Sequence, residues 1–522
     1  MPKWIFVTGG VLSGLGKGLV SASVSKLLQE RGVDVVPVKC DGYLNVDPGT
    51  MNPHEHGEVY VLEDGTEVDM DFGHYERFLD VQGRGSWNLT SGKIFKDVIE
   101  KEREGEYLGE TVQMIPHVTD RIKDEWRSVA EQESADLVVV EIGGTVGDME
   151  NQFYLEAARQ IRSSLEEEET FIIHTTLVPF LETTGEQKTK PTQHSVRDLR
   201  EVGLEPDMVV ARSQDELDES AVEKISLFCD VPEKAVVSDP NLESVYQLPL
   251  EFDRQEVDGV VSEKLGLPER KDGLDDWRRR TQNLLSKPLA SIAICGKYTE
   301  MDDSYASVEE ALRHAAAEIG GSVAIEYLDS EDISVGALDS YDGVIVPGGF
   351  GSRGVEGKID AIEYCRQNEL PLLGLCYGMQ LMVIEYARNE CGIDAVSEEW
   401  GEEGEKVIAE MPGQKDIDDM GGTMRLGSFS AELEGGVSEI YGSEKVSERH
   451  RHRYEVNPEY HDVLQSGDLS FSGWNGQLAE FIEKEDHPFF IGTQAHPEFN
   501  SGLQSPNPLY LEFMKASAAD QT

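Results

Sequence analysis

Apolar residues along the 522-residue chain gather in short continuous runs instead of alternating with polar ones. In the first half the runs KWIFVTG, VDVVPVK, ADLVVVEIGG, FIIHTTLVPF and DMVVARS have strand length. The stretch LVSASVSKLLQERG after the first run has helical spacing and stops at Gly32. Runs that are apolar throughout predict strands buried on both faces. Their alternation with helix-like stretches predicts a parallel sheet covered on both sides. Between residues 266 and 288 the pattern breaks into LGLPERKDGLDDWRRRTQNLLSKP, charged and flanked by prolines, which reads as a connection containing a helix. A second series then begins with LASIAICGKY, VAIEYLD, YDGVIVPGG and LPLLGLC. The expected organisation is therefore α/β, with two doubly wound domains over residues 1–265 and 289–522 joined by 266–288. The acidic, glycine-containing stretch from Glu398 to Asp419 is expected to form a loop or an exposed hairpin.

The first predicted strand runs into VTGGVLSGLGKGLVSAS, where Gly9-Gly10 and Gly16-Lys17 precede a helix. Strand, glycines, lysine and helix come in the order a phosphate-binding loop needs. Glycines let backbone N–H groups approach the phosphates, and the helix N-terminus adds its positive dipole end. Yet five residues, not four, separate Gly10 from Gly16, and Gly18 stands where a magnesium-binding hydroxyl is usual. Two carboxylates are candidates to replace that hydroxyl: Glu141, at the C-terminal end of a predicted buried strand, and Asp71, with Asp69 and Asp148 competing. A basic cluster in GEQKTKPTQHS, with Lys188 and Lys190, joins Lys39 and Lys224 as cations suited to an anionic ligand such as a second triphosphate.

The second series carries a different chemistry. LPLLGLCYGMQL sets Cys376 between a strand-like and a helix-like stretch, with Gly374 and Gly378 on either side. That is a nucleophile elbow with sulfur in place of oxygen. The segment VPGGFG (346–351) offers backbone N–H donors for an oxyanion, and TQAHPEF supplies His496 and Glu498. Thiol, general base and orienting carboxylate together make a nucleophilic triad.

Composition adds one large fact. Acidic residues outnumber basic ones 101 to 46, a formal net charge of −55, spread over the whole chain. Nucleic acid and acidic membranes are disfavoured as partners. The charge reads as a surface adapted to a very salty cytoplasm, where counter-ions screen over a few ångströms. There is no signal-peptide pattern and no apolar run long enough to span a bilayer, so a cytoplasmic protein is expected. The six cysteines show no C-x-x-C pair and read as reduced thiols.

The two constellations in this order, with VDPGTMNPHEHGEVYVLEDGTEVDMDFGHYERF, VEIGGTVGDME, KTKPTQHSVR, GGTMRLG and ERHRHRYEVN, closely resemble the CTP synthase family. The likeness spans nearly the whole chain. It implies an N-terminal P-loop, dethiobiotin-synthetase-like amidoligase domain fused to a class I glutamine amidotransferase of flavodoxin-like fold. In that family ATP phosphorylates O4 of UTP, glutamine is hydrolysed in the other domain, and ammonia travels through the interior to give CTP. The resemblance also implies that the five-residue loop spacing is the family's own and that Asp71 and Glu141 hold Mg2+. Ser13, with Lys188, Thr189, Lys190, Pro191, Thr192, Gln193 and Lys224, would contact the pyrimidine triphosphate. Gly14, Leu15, Gly16, Lys17, Gly18 and Leu19 would wrap the ATP phosphates. Asp148, Met149 and Glu150 match the segment tied to CTP as feedback inhibitor, and Leu242, with Pro240 and Asn241, falls at the adenine. Lys39 and His56 fall near the substrates. In the glutaminase, Gly349, Cys376, Tyr377, Gly378, Met379, Gln380, Glu399 and Arg453 match the glutamine contacts, with Glu398 as the alternative to Glu399. GTP as allosteric activator, a homotetramer and filaments are further implications.

Two other readings stand beside this one. A cobyrinic-acid-type amidotransferase also joins a P-loop ATPase to a Cys-His glutaminase, but KTKPTQ disfavours it. A filament-forming or ATPase scaffold with a dead glutaminase is disfavoured by the presence of Cys376, His496 and Glu498.

Overall fold

The computed structural model describes residues 2–47, 58–270, 273–297, 305–401, 403–410 and 424–519. His56 lies outside the described residues, as does part of the acidic stretch after Glu398. The chain divides into two compact units, Met1–Pro48 with His74–Arg278, and Gly49–Gly73 with Arg279–Thr522.

Seven strands form the sheet of the first unit: β1 (Lys3–Gly9), β2 (Val35–Asp41), β3 (Asn88–Thr90), β4 (Leu137–Ile142), β5 (Thr170–Leu177), β6 (Met208–Arg212) and β7 (Val236–Asp239). Their order across the sheet is β7-β6-β5-β1-β4-β2-β3, and every pair is parallel. Parallel strands with helices on both faces have no wet side. Accordingly Ile5, Phe6 and Val7, Val138 to Val140, and Phe171 to Ile173 are all buried. β1 sits at the centre, and helix α1 (Lys17–Gln29) follows it after the glycine loop. Helix α2 (Lys190–Glu201) follows β5. The connection between the two series contains the helix Asp275–Leu284, whose Trp277 is buried against Tyr246 and Phe78 of the first unit.

The second unit has a nine-stranded sheet: β8 (Pro288–Gly296), β9 (Ser322–Asp329), β10 (Gly343–Val346), β11 (Leu372–Leu375), β12 (Arg425–Leu433), β13 (Lys445–His452), β14 (Ser470–Asn475), β15 (Leu478–Glu483) and β16 (Phe490–Thr493). The order is β9-β8-β10-β11-β16-β15-β14-β12-β13. The first five are parallel, and the remaining pairings are antiparallel. Successive residues serve opposite faces: Val344, Val346 and Leu372 belong to one core, Ile345 and Leu373 to the other. Helices α3 (Val355–Asn368) and α4 (Tyr377–Asn389) follow β10 and β11. Part of the acidic stretch expected as a loop or hairpin is the strand Glu405–Glu410, paired with Tyr454–Val456.

The second unit also holds a small hairpin from early in the sequence, Tyr60–Val61 paired with Glu67–Val68. Arg449 donates to the carbonyl of Val61 at 3.0 Å, the Tyr60 hydroxyl donates to the carbonyl of Phe499 at 3.0 Å, and Arg451 pairs with Glu67 at 2.6 Å.

Candidate active site

At the end of β11 the backbone turns sharply, and Cys376 takes φ 50°, ψ −100° before α4 begins. Close packing makes the turn possible. A Cβ on Gly378 would overlap the carbonyl of Val346, and one on Gly374 would overlap Met382. The Cys376 N–H donates to the carbonyl of Thr493 at 2.7 Å, which ties the elbow to β16. No side chain caps α4 and no acid stands in its first turn, so the positive end of the helix faces the thiol without competition.

β16 leads directly to the partners. His496 Nδ1 lies 2.7 Å from Glu498 Oε1. Burial alone would push the His496 imidazole down, but the charges of Glu498 and Cys376 prevail and hold it well above its ordinary value. A cavity of about 610 Å³ opens over these groups. Its lining brings together Cys376, Tyr377, Gln380, Glu399, Arg453, His496, Glu498 and the glycines Gly348 and Gly349. Glu399 accepts from the N–H of Gly351 at 2.9 Å, and burial raises its carboxyl although that N–H, Lys297 and Arg453 pull the other way. Glu398 turns instead to the N–H of Glu410 at 2.8 Å. Glu58 and Val59, just before the early hairpin, also line the cavity.

Two side chains here carried no signal in the sequence. Gln494 approaches Cys376 Sγ with its amide nitrogen at 3.5 Å, and Gln380 donates to the Gln494 oxygen at 3.2 Å. Lys358 is fully buried with its ammonium 5.5 Å from the Tyr377 ring centre, and burial pushes it down to about 8. Only the nearness of Gln494 to His496 in TQAHPEF could have marked the first. A lysine inside a helical pattern marks nothing.

In the first unit, Gly14 and Gly16 both have positive φ, 75° and 81°, which glycine adopts without strain. Gly16 caps α1 with no side-chain cap and no acid in the first turn, in a chain with 101 acids. Ser13 and Gly14 are exposed, Leu15, Lys17 and Gly18 are buried, and Gly16 and Leu19 are half-buried. Lys17 lies against the loop base and donates to the carbonyl of Gly144 at 2.9 Å. Glu141 is the last residue but one of β4, beside Val7 of β1 and Lys39 of β2, and its carboxylate accepts from the Tyr75 hydroxyl. Asp71, which falls in the Gly49–Gly73 segment of the second unit, opens the helix Asp71–Leu79. Among the described residues no group of three or more His, Cys, Asp or Glu is gathered as a metal cage. Asp148 receives the N–H of Thr145 at 3.0 Å, while Met149 and Glu150 are exposed beside it. Around α2, Lys190 donates to Gln193 at 2.9 Å, Gln193 donates to Thr189 at 3.0 Å, and Thr192 donates to the carbonyl of Leu177 at 3.1 Å. Pro191 occupies the first turn of α2. Lys188 pairs with Glu186 at 2.5 Å, Lys224 is exposed on the helix Glu219–Cys229, and Leu242 lies just beyond Pro240 and Asn241, both held by Arg212.

The family model described as CTP synthase N-terminus matches residues 3–267, and that of class I glutamine amidotransferase matches 300–516. The CTP synthase of Archaeoglobus fulgidus is 52% identical over 99% of this chain and 98% of that protein. The chain belongs to the CTP synthase family. The CTP synthase of Natronomonas pharaonis is also 52% identical, over 97% of this chain and 93% of its own. A solved glutaminase domain of Trypanosoma brucei CTPS with bound acivicin is 38% identical, covers 44% of this chain and 94% of that one, and superposes with a TM-score of 0.42. As a CTP synthase the chain is a glutamine-hydrolysing ligase that converts UTP to CTP with ATP. Among its described residues no helix is long and apolar enough to cross a membrane.

Proposed function

We propose that Cys376, His496 and Glu498 hydrolyse glutamine and that the loop 13–19 serves the phosphorylation of UTP. The observation that carries the first half is the single cavity holding thiol, imidazole and carboxylate beside Glu399 and Arg453. Arg453 would take the substrate α-carboxylate and Glu399 its ammonium. The Cys376 thiolate attacks the side-chain amide carbon. The oxyanion receives N–H groups from the 348–351 loop and the first turn of α4, and the imidazolium of His496 gives its proton to the departing ammonia. Water then attacks the thioester, with the imidazole as base, and glutamate leaves.

In the synthetase domain, taken as residues 1–265 and joined by 266–288 to the glutaminase domain 289–522, Lys17 and the α1 N-terminus neutralise ATP phosphate charge. Ser13, Lys188 to Gln193 and Lys224 hold UTP, Asp148 to Glu150 respond to CTP, and Leu242 lies at the adenine. O4 of UTP takes the γ-phosphoryl group and ADP leaves. Ammonia adds at C4, and phosphate departs. A pair of carboxylates suits Mg2+, which keeps waters and phosphate oxygens as its other ligands. Asp71 and Glu141 would hold it, and when bound it would offset phosphate charge. GTP activation, a homotetramer, filaments and a salt-loving cytoplasmic setting complete the reading. UTP- and ATP-dependent release of CTP, with glutamine or ammonia as nitrogen source, tests it. Absence of CTP with either donor would overturn it.

A further inference from the structure

At the base of the glycine loop lies a chain of three buried polar side chains that the chemistry above leaves unused. His174, fully buried on β5, sits in register with Thr8 of β1. Its Nδ1 is 2.9 Å from Thr8 Oγ1, and its Nε2 is 2.7 Å from Ser195 Oγ. Thr8 donates its hydroxyl to the carbonyl of Ile173 at 3.3 Å. With that hydrogen committed, the histidine donates from Nδ1 to Thr8 and accepts at Nε2 from Ser195. Burial, with Lys17 nearby, pushes the imidazole down to about 3, so it remains neutral and keeps one donor and one acceptor.

The three residues lie on different elements. Thr8 is two residues before Gly10, where the loop begins. Gly10 itself donates to the carbonyl of Thr175 at 3.0 Å. Ser195 is on α2, the helix that opens with Lys190 to Gln193, and a Cβ on Gly10 would overlap its hydroxyl. The strand feeding the loop and the helix assigned to UTP are thus joined through one imidazole.

We propose that His174 is a positioning residue that couples the two nucleotide sites, bracing the ATP loop through Thr8 and the UTP helix through Ser195. The proposal rests on the nucleotide-site reading above. A histidine that only filled the core would affect stability and leave both affinities alone. A relay transmits a change at either end to both.

The test is ammonia-dependent CTP formation by the full chain, with KM for ATP and for UTP measured separately alongside the melting temperature. Ser195→Ala is expected to raise both KM values by about three- to tenfold, the worth of one buried hydrogen bond. Thr8→Val is expected to do the same from the other end. His174→Gln, which keeps a polar group towards Ser195, is expected to recover part of what His174→Ala loses. A lowered melting temperature with both KM values unchanged would overturn the proposal, as would a rise in the UTP value alone after Ser195→Ala. The two single-atom-scale variants keep the test open if the His174 variants do not fold. Lys17→Ala separates the two levels: near-normal turnover there removes the nucleotide-site reading and the coupling with it, whereas loss of turnover with unchanged KM values in Ser195→Ala removes the coupling alone.

Discussion

Glu498 Oε1 and His496 Nδ1 are 2.7 Å apart, two residues from each other in sequence and locked by the turn Pro497–Asn500. The carboxylate fixes which imidazole nitrogen faces the thiol and favours the imidazolium. The folded value is raised, so the stabilisation is full below the ordinary histidine value and is lost as pH rises through the raised one. Glu498→Gln is therefore expected to move the alkaline limb of glutamine hydrolysis to lower pH and to slow it by roughly 10²-fold or more. An unmoved limb in a pH–rate series would contradict this role.

Cys376→Ala should abolish glutamine-dependent CTP formation, by at least about 10³-fold, and spare ammonia-dependent synthesis. External ammonia needs no thiolate. Equal loss with both donors, in a folded variant, would dismiss the two-site reading.

Lys17→Ala should remove both activities, on the order of 10²- to 10³-fold, because neither nitrogen donor helps until O4 is phosphorylated. Glutamine hydrolysis assayed alone provides the contrast and should persist.

Asp71→Asn and Glu141→Gln are expected to raise the magnesium concentration needed for half-maximal ammonia-dependent turnover, as well as lowering the rate. A magnesium titration with unchanged midpoint in both variants would remove these residues from the metal.

A net charge of −55 makes the surface carboxylates repel one another unless salt shortens the Debye length to about 3 Å, near 1 M. Low salt is expected to dissociate the proposed homotetramer or unfold the subunit, with CTP formation recovering near molar potassium chloride. Light scattering and activity across a salt series would show it, and a fully active assembly in dilute buffer would refute the halophilic reading.

The longer parallel strands were legible because their centres are apolar: KWIFVTG is β1 residue for residue, whereas the short β3 (Asn88–Thr90), β7 (Val236–Asp239) and β16 (Phe490–Thr493) are too brief to stand out as runs. The elbow was legible because it needs small residues at Gly374 and Gly378. The antiparallel half of the second sheet was not, since RLGSFSAEL and KVSERHRH carry too many polar and charged residues to read as strands. Their charges are accommodated by pairing, as Arg425 with Glu455 at 3.0 Å, which no periodicity records. His174 hid for the opposite reason. In FIIHTTLVPF it reads as one of three polar residues, with Thr175 and Thr176, inside a core strand, and its partners are more than 20 residues away in sequence on either side.

The backbone at Cys376 has a cost of its own. A residue with a Cβ held at φ 50°, ψ −100° gives up roughly 1–3 kcal/mol that glycine would not. Endurance and turnover are therefore opposed at this single position. Cys376→Gly should melt no lower than Cys376→Ala, both of them being equally devoid of thiol chemistry. Any effort to harden the protein against heat by choosing residues for stability alone would converge on glycine there and discard the proposed nucleophile without any sign of damage in the fold.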